Sequence, residues 1–303
     1  MTPLKVTVRV PATTANLGPG FDSLALALDL WNEAIFTLEG DSVKVDVHGE
    51  GHGRLPQDER NLVAQAALNF FEHQNKPVPD GLKITCENRI PLASGLGSST
   101  SANLLGILGA NALLGQPADR EEILHLVGEL EGHPDNAAAA LWGGLVVVVE
   151  CGRKPIVRQF DLAPLSVLVV FPQMYFPTTT ARAALPTDVP LVDAVFNLGR
   201  TALVVDALRT GDLDLLGQVM DDRLHQPYRL KLIPGAGAAL AAARQAGAKA
   251  VALSGAGPSL VAFISAKTDD VARVMEAEFR QAGLSARSLF LSTTNRSASV
   301  SIS

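Results

Sequence analysis

The stretch from Ile90 to Ala102, IPLASGLGSSTSA, decides how the rest of the chain is read. Leu82 to Cys86 before it alternates as a strand does, and from Pro91 to Ala118 no charged residue occurs. A strand therefore enters a loop containing Gly95 and Gly97, and a helix leaves it through Ser98, Ser99, Thr100 and Ser101. Glycine removes the Cβ and tolerates positive φ, so phosphate oxygens can approach the backbone, while the helix offers free N–H groups and the positive end of its dipole. The loop reads as an anion cradle, and the hydroxyls of Ser98 and Ser99 are hard oxygen ligands of the kind Mg2+ takes. It lacks the lysine of a G-x-x-x-x-G-K-[ST] loop and the third glycine of G-x-G-x-x-G. An ordinary Gly/Ser turn ahead of a buried helix would carry the same letters. The charge-free run is long enough to cross a bilayer, but the polar residues between Ser94 and Gln116 make a helix enclosed by protein the better account.

On either side the pattern mixes strands and helices without strict alternation, which favours an α+β arrangement. Lys5 to Val10 and Val43 to Val47 alternate as half-buried strands, and Asn61 to Glu72 has helical spacing. Pro11 to Asp22, PATTANLGPGFD, is rich in turn formers and reads as a loop. Asp119 opens a helix with a D-x-x-E pair to Glu122, and Gly132 stops it. Leu145 to Val149 and Val167 to Phe171 suit buried strands, and a composition break near Asp161 to Pro164 divides the chain into domains 1–160 and 161–303. The second half shows helical patterns at Leu191 to Arg209, Gly237 to Gln245 and Asp269 to Ala282. Between the last two lies a strand, a tight turn at Ser254 to Ser259 (SGAGPS) and a second strand.

At 303 residues, 47% hydrophobic and 18% charged, the chain can bury a large core. Cys86 and Cys151 offer no disulfide framework or metal spacing and read as buried thiols in a reducing compartment. No signal peptide is legible at the amino terminus, so a cytoplasmic location is expected. A net charge of −6 without a Lys/Arg cluster argues against nucleic acid, and a membrane partner is not expected either.

Three further segments carry chemical groups. In the first loop, Asn16 and Asp22 can hold or polarise a hydroxyl, and an Asp there can take its proton. In Glu129 to Asn136, ELEGHPDN, a carboxylate can complete Mg2+ coordination and His133 can meet a carboxylate, although these residues can equally be a solvated helix end and a cap. Arg182, after Thr178 to Thr180, and Arg229, in QPYRLKLIPG, are isolated cations suited to a fork of hydrogen bonds to a carboxylate.

The three loops ATTANLGPGFD, IPLASGLGSSTS and LSGAGPS, in this order and spacing, resemble the GHMP small-molecule kinases. The first and third take the forms seen in members that act on homoserine, and the likeness runs from about Val6 to Ser265. The resemblance implies a ribosomal S5 domain 2-like amino-terminal domain and a ferredoxin-like carboxy-terminal domain, with ATP and the acceptor between them. It implies that Pro91, Leu92, Ala93, Ser94, Gly95, Leu96, Gly97, Ser98, Ser99, Thr100 and Ser101 bind the ATP phosphates and that Asn61 contacts adenine. It further implies Mg2+ on Ser99 and Glu129, with Glu131 as the other choice because some members carry a longer insert before the histidine.

For the acceptor, L-homoserine, the resemblance places Asn16 and Asp22 at the hydroxyl and His133, Arg182 and Arg229 at the carboxylate, with Thr178 nearby. Asp22, Asn16 and Arg229 are then the expected catalytic set, and a homodimer is the expected assembly. Ala138 to Ala140 departs from the V-A-P often found in these members. Two rival readings are a different acceptor, such as mevalonate or a sugar, and a nucleotide-binding regulator without catalysis.

Overall fold

The structure, a computed structural model, describes residues 4–151, 155–266 and 269–303, so Met1, Thr2 and Pro3 of the amino-terminal stretch lie outside the described residues. The amino-terminal part runs β1 (Val6–Ala15), β2 (Leu24–Leu38), β3 (Lys44–Gly49), α1 (Leu62–His73), β4 (Leu82–Asn88), α2 (Ser98–Leu113), α3 (Arg120–Glu131), α4 (Asp135–Trp142), β5 (Leu145–Val149) and β6 (Ile156–Phe160). There follow β7 (Ser166–Pro172), α5 (Thr178–Ala183), α6 (Leu191–Thr210), α7 (Leu213–Val219), α8 (Gln226–Arg229) and α9 (Ala236–Gln245). The chain ends with β8 (Ala250–Leu253), β9 (Leu260–Ile264), α10 (Asp269–Gln281), β10 (Ala286–Ser292) and β11 (Ser299–Ile302).

Two sheets result, one of seven strands along β11-β1-β2-β4-β3 with β5 and β6 joined to β2, and one of four in the order β10-β7-β9-β8. The mixed α+β class expected from the pattern is what forms. The chain leaves the first sheet after Phe160 and enters the second at Ser166, but β11 returns to pair with β1, so the last strand belongs with the amino-terminal half.

Two expectations need correction. Pro11 to Ala15 is strand rather than loop, because a register shift between Pro11 and Ala12 absorbs the proline, which lacks an N–H for the ladder, and lets Thr13 and Thr14 pair with β2. Cys86 is buried, and burial pushes its thiol up to about 12, so it stays protonated; Cys151, however, is exposed just beyond β5.

Helix α2 is buried along most of its length, with Leu104, Leu105, Ile107 and Ala110 in the first core, which accounts for its lack of charge. Among the described residues no helix is long and apolar enough to cross a membrane. A second core ties the sheets together: Leu24, Leu26 and Leu28 of β2 pack with Val167 and Val169 of β7 and with Val204 and Leu208 of α6. Each fully buried side chain of this kind contributes about 1.5–3 kcal/mol. The halves are thus joined by continuous apolar packing, and the cleft beside it is largely pre-formed.

Candidate active site

The cleft is a cavity of about 360 Å3, within the usual range for small-molecule sites. Its floor is the loop between β4 and α2, and its walls come from Asn61 at the start of α1, Glu131 at the end of α3, His133 just beyond it, Thr178 of α5 and Gly255–Gly257 between β8 and β9. Of the expected phosphate-binding run, Leu92, Ala93, Ser94, Gly95, Gly97, Ser98, Ser99 and Thr100 line it. Pro91, Leu96 and Ser101 do not: Leu96 is fully buried in the core between the sheets, and Ser101 faces the body of the protein from the first turn of α2.

The glycines of this loop are needed by the protein as well as by an anion. Gly95 (φ +75) lies so close to the β8–β9 turn that a Cβ would sit 2.5 Å from the Ser254 carbonyl oxygen, and a Cβ on Gly97 (φ +70) would run into the Thr13 hydroxyl. The first and third loops clamp the second through polar groups. The Ser254 hydroxyl bridges the Gly95 carbonyl at 2.7 Å and the Thr14 hydroxyl at 2.9 Å, and Ser259 donates to the Ser94 carbonyl. Asn61 lines the cleft with its amide already engaged: Oδ1 accepts from Val63 N–H at 3.0 Å as the helix cap, and Nδ2 donates to the Pro56 carbonyl at 2.8 Å.

Glu131, and not Glu129, reaches the cradle. Its carboxylate accepts from Ser99 Oγ at 2.5 Å, Thr100 Oγ1 at 3.2 Å and Asn103 Nδ2 at 2.6 Å. Positions 129 and 131 are ~200° apart around a helix, so they cannot share a face. The Glu129 side chain is 64% exposed and pairs with His125 at 3.5 Å on the far side of α3. The expected metal ligand Glu129 is therefore turned away from the cradle, and Glu131, the other choice, is the carboxylate that stands at it. Hydroxyl and carboxylate oxygens at the mouth of an anion cradle fit Mg2+, which takes one or two carboxylates plus substrate phosphates. No cage of three His, Cys, Asp or Glu side chains exists among the described residues.

His133 follows the left-handed Gly132 (φ 77) that ends α3, and Pro134 keeps it out of the helix. Its Nδ1 lies 2.8 Å from Asp135 Oδ1, and since a carboxylate only accepts, Nδ1 carries the hydrogen. Burial pulls the imidazole's pKa down, but the Asp135 hydrogen bond and charge, with Glu131 adding to them, outweigh it and leave the pKa above the ordinary 6.5. Asp135, 2% exposed, also accepts from Asn136 N–H at 2.7 Å, and Asn136 accepts from Thr13 Oγ1 at 2.7 Å. Asp135 thus orients His133, a role that the capping reading of the sequence missed.

Asn16, Asp22, Arg182 and Arg229 stand one layer behind the Gly255 wall. Asn16 (φ 70) donates to the Gly255 carbonyl at 2.7 Å and accepts from Asp22 N–H at 3.0 Å, so its amide braces the first loop. Asp22 (φ 51) is held in a two-pronged pair with Arg182, both N···O distances 2.9 Å. Arg229, 1% exposed, donates from Nε to the Ala181 carbonyl and from Nη1 to the Gly255 carbonyl and His225 Nδ1, each at 3.4 Å. Burial lowers its pKa to about 10, with Asp22 opposing and Arg182 assisting, so it is charged at neutral pH. His225, which the sequence offered no reason to single out, is fully buried against it.

Residues 61–144 match the model of the GHMP kinases N terminal domain and residues 204–282 that of the GHMP kinases C terminal. The chain is 47% identical over 91% of its length to a homoserine kinase of Moorella thermoacetica, covering 93% of that protein. It is 39% identical over 97% to one of Carboxydothermus hydrogenoformans, covering 96% of it. A crystal structure of homoserine kinase from Cytophaga hutchinsonii superposes with a TM-score of 0.84 at 29% identity, covering 98% of this chain and 97% of that one. With both halves matched and both chains covered nearly end to end, this protein belongs to the GHMP kinase family.

Proposed function

We propose that this protein is a homoserine kinase, moving the γ-phosphoryl group of ATP to the terminal hydroxyl of L-homoserine. The observation that carries the reading is that Arg182, behind the Gly255 wall, lies close enough to both His133, which lines the cavity beside the Gly/Ser loop, and Arg229 to lower the pKa of each. A neutral sugar would leave that set without a carboxylate to meet, whereas mevalonate, itself a carboxylate, would not. The names of relatives up to 47% identical support the same acceptor.

Phosphoryl transfer depends mainly on positioning and charge neutralisation. Backbone N–H groups at the start of α2 and along Ala93–Ser98 receive the phosphates, their glycine-dependent geometry held by Ser254 and Ser259. Ser99 and Glu131 would hold Mg2+, which when bound neutralises phosphate charge. Arg229, His133 and Arg182 would receive the acceptor's carboxylate. When Arg182 turns to the substrate, Asp22 is released from its pair and becomes available to the acceptor hydroxyl as a proton acceptor, while Asn16 keeps the first loop in place.

All of these groups come from one chain; the homodimer implied by the resemblance and the cytoplasmic location are carried forward as proposals, tested by light scattering and by cell fractionation. The function itself is tested by ADP release from Mg-ATP with L-homoserine, mevalonate, galactose, L-serine and L-threonine offered in parallel. Turnover with L-homoserine far above the rest is expected; equal or better turnover with mevalonate or galactose overturns the acceptor and leaves the nucleotide end standing.

A further inference from the structure

Among the described residues the Arg229 guanidinium donates to two backbone carbonyls and one imidazole, all neutral, while Asp22, Asp222 and Asp135 act on it by charge without a hydrogen bond. This contrasts with Arg182, whose charge is already met by Asp22. The imidazole is that of His225, and its tautomer follows from its other partner. Nε2 lies 2.8 Å from the Gly18 carbonyl oxygen, which can only accept, so Nε2 carries the hydrogen and Nδ1 is bare and accepts from Arg229.

Burial lowers the imidazole's pKa and the Arg229 charge lowers it further; together they outweigh Asp222, whose Oδ2 lies 3.4 Å from Nε2 and raises it, so the ring is neutral beside the cation. Asp222 anchors this segment, accepting from the N–H groups of Leu224, His225 and Gln226 at 2.8, 3.0 and 2.6 Å. Phe21 completes the arrangement: its ring stacks on His225 at 5.1 Å between centroids, and the Arg229 guanidinium carbon lies 5.0 Å from the same ring.

Resting on the reading of Arg229 as a partner of the substrate carboxylate, we propose that His225 is a positioning residue. Its bare Nδ1, oriented by the Gly18 carbonyl, holds the Arg229 guanidinium against Phe21 without adding to the negative charge that Asp22, Asp222 and Asp135 already direct at it, so that its hydrogen-bonding face stays open to the anionic end of the amino acid. A carboxylate in place of His225 would hold the arginine more tightly and compete with the substrate. A side chain with no acceptor at that point would leave the guanidinium free to shift.

Two conservative variants separate the two nitrogens. Asn places an amide oxygen where Nδ1 stands and loses the reach to Gly18; Gln keeps a donor at the Nε2 position and loses the acceptor. Both lose the stack on Phe21, so that loss cancels between them. In the intact enzyme, H225Q is expected to raise the KM for L-homoserine about tenfold, the ~1.4 kcal/mol of one hydrogen bond to a charged group, with the KM for ATP changed less than about twofold. H225N is expected to raise the KM for L-homoserine by no more than about threefold.

Equal effects of the two variants, or matching rises in both KM values, overturn the proposal. Arg229→Met measured alongside separates it from the reading beneath it. If R229M raises the KM for L-homoserine and H225Q does not, only the role of His225 falls; if R229M leaves it unchanged, both fall. Should neither variant fold, side-chain 15N NMR of the wild-type protein at pH 7 decides. A neutral Nε2–H tautomer at His225 supports the proposal, and an Nδ1–H tautomer or an imidazolium overturns it.

Discussion

The two ends of the cleft are built in opposite ways. The nucleotide end is drawn from consecutive residues, Leu92 to Thr100, whose conformation is set by two glycines and by the start of α2. The proposed acceptor end is assembled from His133, which lines the cleft, and from Asn16 and Asp22 after β1, Asp135 after α3, Arg182 on α5 and His225 and Arg229 around α8 behind its wall, segments that meet only because the two sheets share a core. The first is a local device that tertiary packing steadies, and the second does not exist until the chain has folded. Charge is distributed accordingly. The cradle relies on backbone dipoles and on Glu131, whereas the acceptor end collects cations whose partners are neutral or exchangeable.

The largest expected effect tests whether the nucleotide end depends on Glu131. Glu131→Gln should lower kcat about 10²–10³-fold, the scale on which a single charge-stabilising group acts in a transition state, whereas Glu129→Gln should change it less than about twofold. Steady-state rates across a Mg2+ titration measure both, and equal effects would return the ligand assignment to open ground. At the acceptor end, Arg229→Met removes a buried cation from a site meant for an anion. It should cut kcat/KM for the amino acid about 10²-fold, ~2–3 kcal/mol, while the KM for ATP stays near its wild-type value. A matching loss for ATP would mean that the two ends are not separable.

The dependence of the local device on its neighbours is tested by Gly97→Ala, which forces a Cβ into the left-handed region against the Thr13 hydroxyl. A loss of about 1–3 kcal/mol in urea unfolding is expected, and an unaffected midpoint would mean that the loop is not held by the first strand.

The smallest effect concerns pH. His133 has a folded-state pKa above the ordinary 6.5, so its contribution to stability is complete below that value and is lost as pH rises through the raised pKa. The same proton favours the carboxylate of the acceptor. The KM for L-homoserine should therefore climb severalfold as pH increases through the raised pKa, and Asp135→Asn should move the inflection to lower pH. An inflection that does not move would separate His133 from Asp135.

Legibility in the sequence followed the same divide. β9 at Leu260–Ile264, the Asp119 cap and Gly132 stop of α3, the long helix α6 and the cradle itself could be read directly, because each rests on periodicity or on conformational preferences within a few residues. β2 was not anticipated: its first third, Leu24 to Leu28, is buried on both faces and so shows no useful alternation. Between Glu129 and Glu131 the reading settled on Glu129, whereas Glu131 is the one at the cradle, since the outcome turns on which face of α3 meets α2. His225 carried no signal at all. Its importance comes from standing between Gly18 and Arg229, and the first of these is 207 positions away.

By itself, the sequence determined the family, the α+β class, the anion cradle and the inventory of polar groups able to meet ATP and an amino acid. These rest on local backbone freedom, hydrophobic period and side-chain chemistry, which the order of residues already contains. Only the tertiary structure decided that Glu131 faces the cradle, that Arg182 pairs with Asp22 and that Arg229 hydrogen-bonds to neutral groups. Those outcomes depend on distances between segments far apart in the chain, and only burial of the core that joins the two sheets sets such distances.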